Sequence, residues 1–514
     1  MKKHFIRNRK VRYGGITVIL AILVVTVTVL SNAVFGTLAE RYGWYTSMTG
    51  TYSYDVTEDC YTLLGDMFAS LSAEGHTPKA EIIFCDTEEN LTAESTQLYL
   101  YETATSLAER YPENITVQCY DIWTNPNTVR NYTTTLNPLT GETVETTIKS
   151  TSVIIIAENY HRVYSLEEFY VFEDGNTENL WAYNGEKKLA AGIMHAVDPE
   201  EHVVCLTNNH GEIFYDYELL YLLDDAGYTV SYIDLYRQEI PENCDLIISY
   251  NPNTDLVEDE LSDVSEVEIL DAFLSKEGNS FWVFLENGTP ELPNFEKYLE
   301  GWGVDFEYHT SGERSYRYMV QDSSQSLTSD GYTIYGEAVN DGHSAELMRE
   351  LGGKVVFKNA TAMTSAQGFV NNGDGSFTKD SRTMYSLYEG SANAVSWANG
   401  SPVDTANNAI LMSLTEQRNA SGSSYVGVIA SVDFSAEDFL QSAVYGNTDV
   451  LLRSFRNVGK TYTPEGLTIK PFASQDISTI TTRQMLFWTI GLSVAPALIV
   501  SAVAVVILVR RRRA

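Results

Sequence analysis

Two uncharged apolar segments bracket this chain, each backed by basic residues, and they restrict its topology more than any other feature. Gly14 to Phe35 runs for 22 positions without a charge and Met485 to Val509 for 25. At about 1.5 Å rise per helical residue, either segment crosses a hydrocarbon core of about 30 Å. Lys2, Lys3, Arg7, Arg9, Lys10 and Arg12 precede the first; Arg510, Arg511, Arg512 and Arg513 follow the second. Basic flanks stay on the cytoplasmic side. The pattern therefore predicts a cytoplasmic basic tail over 1–13, transmembrane helices over 14–35 and 485–509, and a cytoplasmic Arg tail over 510–514. The 449 residues from Gly36 to Gln484 are then expected outside a bacterial cell membrane, held at both ends. The first segment exceeds a signal-peptide core of about 7–15 residues and reads as an uncleaved anchor.

Acidic residues are absent from 1–35 and 485–514. All 69 Asp and Glu thus lie in the outer portion against 24 Lys and Arg, a net of −45. Such a field repels nucleic acid and anionic lipid head groups and favours cations and basic partners. The 33 Tyr and 20 Phe supply aromatic area for a packed core rather than a disordered tether. Cys60, Cys85, Cys119, Cys205 and Cys244 form no C-x-x-C pair. Buried thiols are expected, with one disulfide left open.

Alternating strand and helix patterns predict an α/β fold with two extracytoplasmic domains. In the first, over 50–198, helices are expected at Thr57–Leu71, Thr92–Arg110 and Glu186–Val197. Strands are expected at Glu81–Cys85, Ile115–Asp121, Ser152–Ala157 and His161–Tyr164. A parallel first pair followed by a hairpin is a thioredoxin-like arrangement. The second domain, over 199–470, should carry strands at His202–Thr207, Thr229–Ile233, Asp245–Ser249 and Ser280–Leu285. Helices at Tyr215–Asp225, Val264–Lys276 and Phe295–Trp302 alternate with most of them, which argues for a parallel sheet. From Tyr308 to Ser424 the pattern weakens, with strands expected at Lys354–Phe357 and Ala409–Leu414. The strand Tyr425–Ser431 and the helix Asn447–Val458 then return to the second sheet.

Asn208-Asn209-His210-Gly211-Glu212 follows the first strand of the second domain, at the carboxyl end where α/β sheets place ligand sites. These five residues, with Asp433 after the last buried strand, form the candidate ligand-binding set. His210 and Glu212 carry acid–base and metal-binding chemistry. The competing account is structural: Gly211 makes a tight turn and Glu212 lies near a helix N-terminus. No G-x-S-x-G elbow, P-loop or zinc-spaced His/Cys pair occurs, so no catalytic residue, metal or cofactor is expected.

Six stretches occur in a characteristic order: Ile115–Asp121 with Asn125-Pro126; Leu206-Thr-Asn-Asn-His-Gly-Glu212; Ile240–Ser249 with Asn251-Pro252; Leu270–Leu285; Val428–Phe434 with Asn447–Arg456; and Leu467–Pro471 before the span carrying Pro496. Their order resembles the gliding-motility-type (GldG-like) family of ABC transporter auxiliary proteins. Two departures stand out: Asn208-Asn209 replaces a Gly before the His, and Lys276-Glu-Gly-Asn279 replaces a double Gly. The resemblance implies a second domain of class I glutamine amidotransferase-like fold without its nucleophile, and partnership with an ABC ATPase and a permease. The expectation is a non-catalytic, membrane-anchored auxiliary subunit that binds or couples outside the membrane. Two other readings stay open: a cell-envelope ectoenzyme using His210 and Glu212, and a surface receptor or adhesion module with an acidic, Tyr-rich face.

Overall fold

Thr57 starts the fold, its hydroxyl accepting from the Cys60 N–H to cap α1 (Glu58–Ala73). The computed structural model describes residues 55–472 apart from 159, 173–179, 215–216, 259–264, 307, 312–313, 349–350, 352, 399–400, 404–408, 421 and 459–460. The expected membrane helices 14–35 and 485–509 and the tails 1–13 and 510–514 lie outside the described residues. Among the described residues no helix is long and apolar enough to cross a membrane.

After α1 come β1 (Ala80–Phe84), α2 (Glu88–Ala93), α3 (Ser95–Arg110) and β2 (Ile115–Cys119). One continuous helix was expected over Thr92–Arg110. Glu94 instead adopts an extended conformation, φ −108° and ψ 124°, and divides α2 from α3. A short hairpin, β3 (Thr134–Leu136) and β4 (Thr143–Glu145), precedes a longer one, β5 (Val153–Ala157) and β6 (Tyr160–Tyr164). The sheet order is β2-β1-β5-β6, with β1 and β2 parallel and the other pairs antiparallel. Strands β7 (Tyr170–Phe172) and β8 (Leu180–Tyr183) lead into α4 (Gly185–Val197). Leu64, Ile82, Leu100, Leu107, Ile155 and Leu189 pack into one buried core between this sheet and α1, α3 and α4.

The second half is built on β9 (His202–Thr207), α5 (Glu218–Asp225), β10 (Tyr228–Ile233) and β11 (Cys244–Tyr250). It continues through α6 (Glu266–Leu274), β12 (Ser280–Phe284) and α7 (Pro293–Gly301). The strands lie in the order β10-β9-β11-β12, followed by Gly422–Ile429, all parallel. Ile410–Asn419 and Arg382–Glu389 then extend the sheet antiparallel. β9, β11 and β12 are buried along their whole length, which explains why they read as continuous apolar runs rather than alternating ones. Trp282 of β12 is paired in register with Gly427, and a Cβ at that glycine would stand 2.3 Å from the indole. The glycine therefore makes the room in which the buried ring lies.

The described fold is mixed α/β, and all of it belongs to one compact unit. Arg162 of β6 and Asp224 of α5 join the halves through two parallel hydrogen bonds, Nη2 to Oδ2 at 2.7 Å, with both side chains buried. Lys188 and Asp225 form a second ion pair beside them. The chain also closes on itself. Glu186 accepts from the Thr57 N–H at 2.7 Å and the Thr57 hydroxyl at 2.6 Å, and it pairs with Lys470. Lys470 Nζ donates in turn to the Asp55 carbonyl at 2.7 Å, while Lys470–Pro471 pairs with β8. All five cysteines are free thiols, so the disulfide left open by the sequence does not form.

Candidate functional site

In the strand order β10-β9-β11-β12, the connection after β9 runs to one side and the connection after β11 to the other. The loops after β9 and β11 face each other across the resulting crevice, the usual ligand position in such sheets. Here the chain fills that crevice itself. Gly211 at φ +74° and Asn251 at φ +51° turn the two loops inward. The N–H groups of Asn253 and Thr254 donate to the His210 carbonyl at 2.7 and 2.8 Å. Asn253 Nδ2 donates to the Gly211 carbonyl at 3.2 Å.

The His210 imidazole is held between two carboxylates. Nε2 lies 2.9 Å from Glu266 Oε2, and Nδ1 lies 3.4 Å from Glu212 Oε1, within ion-pair range but without hydrogen-bond geometry. The His210 N–H donates to Glu212 Oε2 at 2.8 Å, and the Thr207 hydroxyl donates to Oε1 of the same carboxylate. Glu266 stands in the first turn of α6 and also accepts from Asn209 Nδ2 at 2.7 Å and the Val257 N–H at 2.6 Å. The ring is 1% exposed. Burial alone would push its pKa down, but the two carboxylates of Glu212 and Glu266 close against the ring override that and raise it to about 9. The same contacts overcome burial at both carboxyls and hold them below their ordinary range.

At neutral pH this is an imidazolium closed between two carboxylates. A protonated, sealed ring has no lone pair for a metal and no path to take a proton from a substrate. What it can do is fix the β9 loop against the β11 loop and the start of α6. Among the described residues no group of three or more His, Cys, Asp or Glu is arranged to hold a metal ion.

Asn208, Asn209, His210, Gly211 and Glu212 all lie at the end of β9, but Asp433 stands apart from them. Its strand, Gly422–Ile429, is separated from β9 by β11 and β12, three steps of about 4.8 Å. Its carboxylate meets Lys358 Nζ at 3.5 Å and Asn359 Nδ2 at 3.1 Å. The residue sequence reasoning missed is Glu266, 56 positions from His210. Its one signal is an acidic residue directly after Ser265, the cap of a helix that follows the neighbouring strand. A second missed set lies across the β11 loop, where Asn251 Nδ2 donates to Glu286 at 3.0 Å and the Thr289 hydroxyl donates to Asn251 Oδ1 at 2.8 Å.

The corresponding strand end in the first half holds Cys85 and Asp86 after β1. Burial, helped by the Asp86 charge, pushes the Cys85 thiol up to about 12, so it stays protonated and unreactive. Asp86 Oδ1 is occupied by the Thr87 N–H and by Asn90 Nδ2, both at 2.7 Å. Compared with protein-family models, with curated proteins and with solved structures, the chain finds no match.

Proposed function

We propose that this chain is a non-catalytic extracytoplasmic subunit of an ABC-type transport complex, anchored in a bacterial cell membrane by its two apolar segments. The observation that carries the reading is the meeting of residues 55–57 with Lys470 at the buried Glu186 carboxylate. A body whose entering and leaving strands share one ion pair suits two membrane helices that stand side by side. The non-catalytic half of the reading rests on the closed His210 ring, since an ectoenzyme built on His210 and Glu212 needs that imidazole open to substrate. The sequence carries no P-loop, so energy is assigned to a partner ATPase working with a permease.

In finer terms, the order β2-β1-β5-β6 with one parallel pair supports a thioredoxin-like first domain. The parallel run β10-β9-β11-β12 supports a class I glutamine amidotransferase-like second domain. Kinship with GldG-like auxiliary proteins rests on the ordered motifs of the sequence. The test is gentle solubilisation of the full-length protein from its native membrane, with mass spectrometry of what accompanies it. An ABC ATPase and a multi-span permease in fixed stoichiometry are expected. Recovery of the chain alone, under conditions that keep other ABC complexes intact, would overturn the reading.

A further inference from the structure

An unpaired sheet edge is a hydrogen-bonding template that proteins normally cover or charge. Here β6 is covered by Thr135, whose hydroxyl donates to the Val163 carbonyl at 3.0 Å and accepts from the Val163 N–H at 3.2 Å. The turn between β3 and β4 covers β10: a Cβ on Gly141 would stand 2.0 Å from the Val230 carbonyl. β2 is different. It ends the order β2-β1-β5-β6, and no described residue pairs with its outer side. The Asn114 carbonyl and the Tyr120 N–H are spent inward, on Ala80 and Phe84 of β1. Successive residues of a strand turn their peptide groups to opposite sides. The N–H and C=O of Val117 and Cys119 therefore point outward.

Nothing in the strand itself guards that edge. Ile115-Thr-Val-Gln-Cys119 has no charge, no Pro and no Gly, and its register with β1 runs without a bulge. Thr116 and Gln118 are exposed, and Val117 and Cys119 are half-buried. Negative charge stands at both ends instead. Glu113 is exposed before the strand. After it, Asp121 accepts from the Thr124 hydroxyl at 2.8 Å and the Trp123 N–H at 2.9 Å, bonds that hold its carboxyl below the usual range. The same turn carries Trp123, 80% exposed. A carboxylate and a bare indole on one turn suit a Lys or Arg. Two copies of this chain pairing antiparallel about Val117 would set Glu113 of each opposite Asp121 of the other. Like charge would meet like charge at both ends, so charge favours a basic partner over a second copy.

We propose that the outer edge of β2 takes an extended segment of a basic partner protein as an added strand. The segment's backbone pairs with Val117 and Cys119, and its apolar side chains lie beside Ile115 and Val117. Basic residues at its two ends meet Glu113 and the turn of Asp121 and Trp123. Main-chain bonds give such a site its affinity, and the charged ends select the partner. The proposal goes beyond the transport reading and does not depend on it.

Fluorescence anisotropy of a labelled peptide, Lys-Thr-Val-Thr-Val-Thr-Lys, with the full-length protein in detergent tests the proposal. Saturable binding is expected. The peptide with Glu at both ends should bind about tenfold more weakly, since two exposed charge pairs become repulsive. N-methylation should abolish binding when placed on the two valines if the strand adds antiparallel, or on the three threonines if it adds parallel. The other pattern should spare it. Val117→Pro removes one outward N–H and no bond to β1, so it should lose peptide binding while its melting temperature stays near that of the parent. No binding at millimolar peptide would overturn the proposal, and so would equal effects of the two N-methylation patterns on the unaltered protein. A dimer that Val117→Pro dissociates would overturn it as well, giving the edge to a second copy.

Discussion

Arg162 and Asp224, 62 positions apart, meet through two parallel hydrogen bonds that fasten the hairpin of the first half to a helix of the second. Both are buried, so the pair is strong only while both members are present. Removing one leaves a buried charge uncompensated, which costs about 3–5 kcal/mol. Arg162→Met should therefore lose about that much in denaturant unfolding of the full-length protein. The double variant Arg162→Met, Asp224→Leu should recover most of it. Equal loss in the single and double variants would mean that packing, not charge, holds the junction.

The His210 clamp sets a pH window. His210 has its pKa raised from 6.5 to about 9, so its contribution is complete below about 6.5 and is lost as pH rises through 9. Glu212 and Glu266 are lowered from 4.5, so theirs is complete above about 4.5 and is lost as pH falls through their folded values. The stability difference between the parent and His210→Gln should be greatest near pH 5–6, of order 3 kcal/mol, and should shrink steadily between pH 7 and 9. A pH-independent difference would show that the ring is neutral in the folded protein.

Gly427 is a steric requirement of the large sheet. An added Cβ meets the Trp282 ring at 2.3 Å, and neither partner has free space. Gly427→Ala should cost about 1–3 kcal/mol by overpacking. Gly288, where a Cβ meets nothing closer than 3.5 Å, is the control, and its alanine variant should stay within about 0.5 kcal/mol of the parent.

Thiol chemistry follows burial. Cys60, Cys85, Cys205 and Cys244 are buried and Cys119 is half-buried; burial raises the pKa of Cys60, Cys85 and Cys119. Iodoacetamide at pH 8 should modify Cys119 slowly and the other four only on unfolding. Mass spectrometry of the denatured, unreduced protein should count five alkylated cysteines. A count of three would reveal a disulfide.

Much of the fold was legible because its strands are buried on both sides. His202–Thr207 and Asn447–Val458 carry the bounds that the sequence implied, the first from an unbroken apolar run and the second from a helical stripe. The split of α2 from α3 was hidden because the break falls on Glu94, itself a good helix former. The strand Arg382–Glu389 was hidden as well, since polar residues such as Thr383 and Ser386 lie within it and its partner Ile410–Asn419 comes later in the chain. At the candidate site, the β9 loop was visible as a turn after a strand. Glu266 was not, because only the adjacency of β9 and β11 brings the start of α6 to His210. Asp433 drew attention for the opposite reason, as a strand-end carboxylate whose distance from β9 depends on a strand order that no local pattern encodes.

The tie at Glu186 also has a mechanical meaning. Asp55 and Thr57 on one side and Lys470 on the other converge on the same carboxylate, so drawing the two ends of the body apart strains one buried ion pair. With residues 55 and 470 in contact, the order in which the backbone is threaded is close to dispensable. A short link across that gap, with a new opening in a surface loop, should give a circularly permuted body with the same neighbours throughout.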